Sequence, residues 1–225
     1  MNSRNKSTQN IKKTVTLAML AAMAVVATLI IRVPFAFAPP AMRYDPQDVF
    51  ILLGGFIFGP LAAAGMSAAV ALIRFAISST TGHYGLLMNF VSTFSFVVPA
   101  AIVYFKIRSF KGAIVGLIVG MIVMVPTMLL MNYLIVPLYT PVPREAVVGL
   151  LIPAILPFNL LKGGINAAII LMIYNPIMTA LNRAKMLPEA DDKGTSRFDI
   201  AFVVFFAVAI SVLFVLTFIG VIDVG

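Results

Sequence analysis

The sequence predicts an all-α membrane protein, a bundle of six transmembrane helices followed by an additional C-terminal one. Three observations predict it. Apolar runs of about 18 residues or more, the length that crosses a bilayer as a helix, fill most of the chain. Charge is sparse: 61% of the 225 residues are hydrophobic and 11% are charged, too few to clothe a soluble domain of this length. The basic residues cluster at the ends of the runs, as cytoplasmic loops do. A transmembrane barrel would read as short alternating segments, and nothing here alternates.

The elements follow in order. Residues 1–13, "MNSRNKSTQNIKK", are polar and basic and form a cytoplasmic N-terminus. The apolar run from Thr14 to Ile31 exceeds the ~7–15 residues of a signal-peptide core, so it reads as a retained first helix. The next run, 49–77, is long and is interrupted by "GGFIFGP", Gly54 to Pro60. Proline lacks an amide donor and clashes with the preceding turn, so the run is one tilted helix or two short ones. Charge parity chooses two. Arg4, Lys6, Lys12 and Lys13 sit inside, and the next basic cluster, Lys106, Arg108 and Lys111, must also be inside. That requires an even number of crossings before residue 106.

Runs at 86–105, 112–136 and 147–182 complete six spans, with Arg183 and Lys185 inside again. The six-helix membrane domain is therefore 14–185, followed by a charged linker at 186–199 and a seventh apolar run at 200–222, read as a lipid-facing accessory helix. No repeat of fixed period is visible, which argues against inverted-repeat transporter folds.

Several classes fall away. There is no cysteine, hence no disulfide or thiolate metal site. The single histidine, His83, reads as a loop residue. The net charge of +8 reflects cytoplasmic loops rather than a nucleic-acid partner, because no basic-aromatic patch accompanies it. The apolar runs contain no carboxylate, histidine or cysteine, so a general-base or metal set is missing and the chain is not expected to be an enzyme. A Schiff-base lysine is the one remaining route to catalysis.

The polar residues that do enter the runs point to binding. The first outer loop, 32–48, contains four prolines with Phe35 and Phe37, and reads as a stiff lid folded over the bundle. Asn89 lies a few residues into the fourth helix, and Asn132 and Tyr133 lie near the outer end of the fifth. "PFNLLKGGIN" places Asn159, Lys162 and Asn166 on one face of the sixth, since residues three and four apart are helix neighbours. Pro153 and Pro157 loosen the turns before it. Lys162 could snorkel, pair with Asp45 or Asp48 of the lid, or meet a polar ligand; its depth favours the ligand. Asn166, deeper, reads as a bond to a neighbouring helix.

The stretches "DPQDVFILLGGFIFGPLAA", "LMNFVSTFSFVVPA", "MNYLIVPLY" and "PFNLLKGGIN" together resemble the riboflavin-specific substrate-binding (S) components of energy-coupling factor (ECF) transporters, the RibU/FmnP family, over residues ~10–185. The resemblance implies the six-transmembrane-helix S-component fold, a location in the bacterial cell membrane as a multi-pass protein, and a cavity capped by the first outer loop. It implies that Asn132, Asn159 and Lys162 hydrogen-bond a flavin, and that Tyr44, Asp45, Gly85, Met88 and Asn89 line its pocket. The flavin would be cargo, with no resident cofactor. The implied partners are riboflavin or a related small molecule, membrane lipids, an ECF transmembrane coupling protein and two ATPase subunits. The first helix would dock the coupling protein through the small residues Ala18 and Ala22. Uptake would then follow from toppling of the loaded subunit. The segment after residue 185 departs from the family pattern. Two alternatives stay open: an S component for another vitamin or precursor such as pantothenate or folate, and a structural membrane subunit with no ligand.

Overall fold

The computed structural model describes residues 3–39, 42–78 and 82–183. The linker at 186–199 and the run at 200–222 lie outside the described residues. Helix α1 spans Ser3–Ile30. A two-residue ladder follows, β1 (Val33–Pro34) antiparallel to β2 (Arg43–Tyr44), with Val33 opposite Tyr44. This minimal hairpin is the lid, so the proline-rich loop is pinned at its base rather than simply extended. Phe35 stacks on Phe37 at 5.5 Å and meets Phe158 edge-on at 5.8 Å, which holds the lid's apolar side against the bundle.

The long run divides as charge parity requires. Helix α2 is Gln47–Phe58 and α3 is Pro60–Ser78. The joint is Gly59, whose φ of 99° belongs to the left-handed region that glycine tolerates. A side chain there would also meet the Phe105 ring at 3.2 Å. Pro60 starts α3 at the position where a missing amide costs nothing. At 12 residues α2 is about 18 Å long, short of the ~30 Å hydrocarbon core. It survives because it is central: every residue but Phe50 and Phe58 is buried, against α1, α3, α4 and α7. A helix apolar on all sides belongs inside a bundle.

Helices α4 (Gly82–Ile107) and α5 (Phe110–Tyr139) form a hairpin turned at Arg108 and Ser109. The Ser109 side chain caps α5 by accepting from the Gly112 amide at 3.1 Å. The two helices approach closely because Gly116 and Gly120 face them: a Cβ on Gly116 would lie 2.6 Å from the Ala100 carbonyl oxygen, and one on Gly120 would collide with that of Phe96. Since backbone cannot yield as a side chain can, Gly120→Val is expected to destabilise the protein by about 2 kcal/mol or more, the usual cost of overpacking. Thermal unfolding in detergent measures it.

The last stretch is continuous from Arg144 to Arg183 but not uniform. It comprises α6 (Arg144–Leu150), a π-helical turn (Leu151–Ile155) and α7 (Leu156–Arg183). Pro153 and Pro157 lack the amides that would satisfy the carbonyls four residues earlier. The widened turn answers this by sending the Leu156 amide back to the Leu151 carbonyl, five residues away.

Five of these helical stretches are long and apolar enough to cross a membrane, and α2 is a shorter apolar helix. Their outward faces are greasy: Leu61 is 86% exposed and Met172 79%, which suits lipid. The chain is a multi-pass membrane protein. Its two ends differ in charge. Among the described residues, Lys12, Lys13, Lys106, Arg108, Lys111 and Arg183 share one end, and Lys13 rests over the Phe58 ring at 6.0 Å there. The three described acids, Asp45, Asp48 and Glu145, lie at the lid end together with Arg32, Arg43, Arg74, Arg144 and Lys162, so acids offset part of the positive charge at that end alone.

Candidate functional site: a cavity under the lid

A cavity of about 770 Å³ opens at the lid end, within the range of small-molecule sites. Its wall takes Asn159 and Lys162 from α7, Asn132 from α5, Gly85, Met88, Asn89 and Ser92 from α4, Arg74 from α3, and Arg43 and Asp45 from the lid. Apolar surface from Phe75, Met128, Val147 and Phe158 fills in between. Seven of the eight residues singled out for binding therefore border one space. The eighth, Tyr44, does not: its ring is buried and its hydroxyl donates to Asn166 Oδ1 at 3.0 Å. Burial, then the Asp48 and Asp45 carboxylates, push the Tyr44 hydroxyl up to about 12, so it remains a donor at any physiological pH. Ala18 and Ala22 lie on the exposed side of α1, while Ala21 between them turns inward.

The amides are oriented by their own helices. Asn132 Nδ2 donates to the Met128 carbonyl at 2.7 Å, and Asn159 Nδ2 to the Ile155 carbonyl at 2.8 Å. In each case the carbonyl lies one turn earlier. Asn132 Oδ1 is left buried with no partner. A buried acceptor without a donor is costly, and this one belongs to a residue of the cavity wall. With its nitrogen engaged by the Met128 carbonyl, Asn132 presents an acceptor.

Lys162 supplies the opposite character. It is 5% exposed, too enclosed to snorkel, and its Nζ lies 3.7 Å from Asp48 Oδ2. Asp48 was expected on the lid; it belongs instead to the first turn of α2, where the helix dipole favours an anion. Its carboxylate is fully buried and also accepts from Thr93 Oγ1 at 2.7 Å and Asn166 Nδ2 at 3.1 Å. Asn166 thus does bond a neighbouring helix. A second pair joins Arg74 Nη1 to Asp45 Oδ2 at 3.4 Å, with the same nitrogen donating to Gln47 Oε1 at 2.7 Å. Asp45 Oδ1 is buried without a partner, a second outstanding acceptor in the wall.

Sequence reasoning missed Arg74, although a lone cation inside the 49–77 run is the kind of intramembrane charge that marks a site. Gln47, Ser92 and Thr93 carried no such signal. Their role comes from facing α3, α2 and the cavity across the bundle. Among the described residues there is no cluster of three or more metal-ligating acids or histidines.

The wall offers the Lys162 ammonium, the guanidinium groups of Arg32, Arg43 and Arg74, two outstanding acceptors and apolar area. It is built to hold a molecule. Residues 12–174 match the family model of the ECF transporter substrate-specific component. The chain belongs to the ECF transporter S components. This S component is 33% identical over 190 residues to the riboflavin transporter RibU of Staphylococcus aureus (strain TCH60), an alignment covering 81% of this chain and all of that one. It is 30% identical over 173 residues to the riboflavin transporter FmnP of Bacillus subtilis (strain 168), covering 73% and 90%. Its structure is similar to one described as "Structure and mechanism of the S component of a bacterial ECF transporter", with a TM-score of 0.66 and 33% identity over 76% of this chain and 98% of that one. The fold expected from the resemblance is therefore the fold of this S component.

Proposed function

We propose that this S component binds riboflavin in the cavity under the lid and delivers it inward with a separate ATP-driven module. The observation that carries the reading is the pairing of a buried donor, Lys162, with an outstanding acceptor, Asn132 Oδ1, in one apolar-walled space. The polar edge of a flavin alternates carbonyl acceptors with a ring N–H donor, so it needs both characters side by side. Its ring faces are apolar, and its hydroxylated chain suits the acceptor Asp45 Oδ1 and the amide of Asn89. The names of the relatives support the same ligand.

The chain is a carrier rather than an enzyme, and flavin is cargo. The energy comes from partners, a transmembrane coupling protein and two ATPases, with the exposed Ala18 and Ala22 of α1 as the docking face. The basic end lies in the cytoplasm and the lid end outside, in keeping with the positive-inside rule.

Flavin fluorescence quenching on the purified protein tests the reading. Sub-micromolar binding is expected, weakened about tenfold or more by Lys162→Ala and by Asn159→Ala, the loss of one charge-assisted or buried hydrogen bond. Wild-type protein that leaves riboflavin fluorescence unchanged, while pantothenate or folate binds, overturns it.

A further inference from the structure

Polar groups in the cavity wall, Arg74 and Asp45, and behind it, Tyr44, Asn166, Asp48, Thr93 and Gln47, form a closed circuit. It starts at Tyr44, whose hydroxyl donates to Asn166 Oδ1. Asn166 Nδ2 then donates to Asp48 Oδ2. Thr93 Oγ1 donates to Asp48 Oδ1 and accepts from Gln47 Nε2 at 2.8 Å. Gln47 Oε1 accepts from Arg74, which pairs with Asp45. The two ends of the circuit, Tyr44 and Asp45, are adjacent in the chain and form the foot of the lid. Between them the circuit passes through side chains of α7, α2, α4 and α3, and so ties the lid's foot to four helices.

Each amide in the circuit has its direction set by its neighbours. Because Asp48 can only accept, Asn166 must turn its nitrogen to Asp48 and its oxygen to Tyr44. Because Arg74 can only donate, Gln47 must turn its oxygen to Arg74 and its nitrogen to Thr93. Lys162 joins as a branch, reaching the same Asp48 oxygen that Asn166 uses. The ammonium that borders the cavity and the Asn166 amide that holds the lid through Tyr44 therefore meet at one atom, Asp48 Oδ2.

We propose that Asp48 and Asn166 are positioning residues that latch the lid through Tyr44 and set Lys162 at the cavity wall, so that lid closure and ligand retention stabilise one another. Neither Tyr44 nor Asn166 borders the cavity, and their effect on a ligand passes through the lid. The consequence for binding rests on the riboflavin reading; the latch itself does not.

Tyr44→Phe breaks one link without altering the cavity wall. The chain has no cysteine, so spin labels at Ala36→Cys on the lid and Leu138→Cys at the end of α5 report the lid's position. Without ligand, Tyr44→Phe and Asn166→Leu are each expected to broaden the distance distribution, and their combination to broaden it no further. With riboflavin, each raises the dissociation rate about fivefold, the worth of one net hydrogen bond. Thermal midpoints near that of the parent exclude general loosening. A distribution unchanged in Tyr44→Phe overturns the latch, as does strict additivity of the two substitutions. A protein that binds no riboflavin but shows the broadening retains the latch and refutes only the ligand.

Discussion

Asp48→Ala is expected to destabilise the protein by about 3–5 kcal/mol, the range for stripping one partner from a buried pair. Asp48→Ala combined with Lys162→Met is expected to be more stable than Asp48→Ala alone. The single substitution leaves the Lys162 ammonium facing apolar surroundings, with a side chain only 7% exposed, and removes the acceptor for Thr93 and Asn166. The double substitution removes the stranded charge and leaves only the two neutral donors unpaired, a smaller penalty. Unfolding of the purified protein by denaturing detergent gives both values. A double variant no more stable than the single one would show that Asp48 acts on the fold through its hydrogen bonds and not by compensating Lys162.

The second large effect separates binding from stability. Asn132→Leu is expected to lower riboflavin affinity about ten- to a hundredfold, because the site loses the acceptor left open for the ligand. The same change is expected to leave the ligand-free protein as stable as before, or more so. Oδ1 is already unsatisfied, and a side chain of similar shape without it removes that cost. The reading is thermal unfolding with and without riboflavin: the midpoint of the free form holds or rises, and the upward shift on adding ligand is largely lost. A drop in the free-form midpoint comparable to that of Gly120→Val would mean that Asn132 serves the fold, through the bond from its nitrogen to the Met128 carbonyl.

Both effects turn on residues of uneven legibility. Asn132, Asn159 and Lys162 could be read from the sequence because a polar side chain in a hydrocarbon-spanning run demands a reason. The break at Gly59-Pro60 was legible for a similar cause: proline and left-handed glycine act locally, and basic clusters constrain crossing number. The role of Asp48 was not legible. It stands next to Asp45 beside a proline-rich loop, and nothing local separates a lid residue from the first turn of a buried helix. Arg74 was overlooked in a run whose average is apolar. Tyr44 was placed in the wall by resemblance, yet its hydroxyl turns to Asn166, 122 positions away.

The sequence by itself determined that this chain crosses a membrane repeatedly, where α2 and α3 divide, and which polar side chains must find partners. These follow from solvation, since lipid admits few uncompensated polar groups and helix breakers act within a turn. Only the tertiary structure decided what those partners are: Asp48 for Lys162, Asn166 for Tyr44, Arg74 for Asp45, and an open acceptor at Asn132. Hydrogen-bond direction and charge pairing operate over about 3–4 Å, and residues far apart in the chain come that close only once α2 is enclosed by its neighbours.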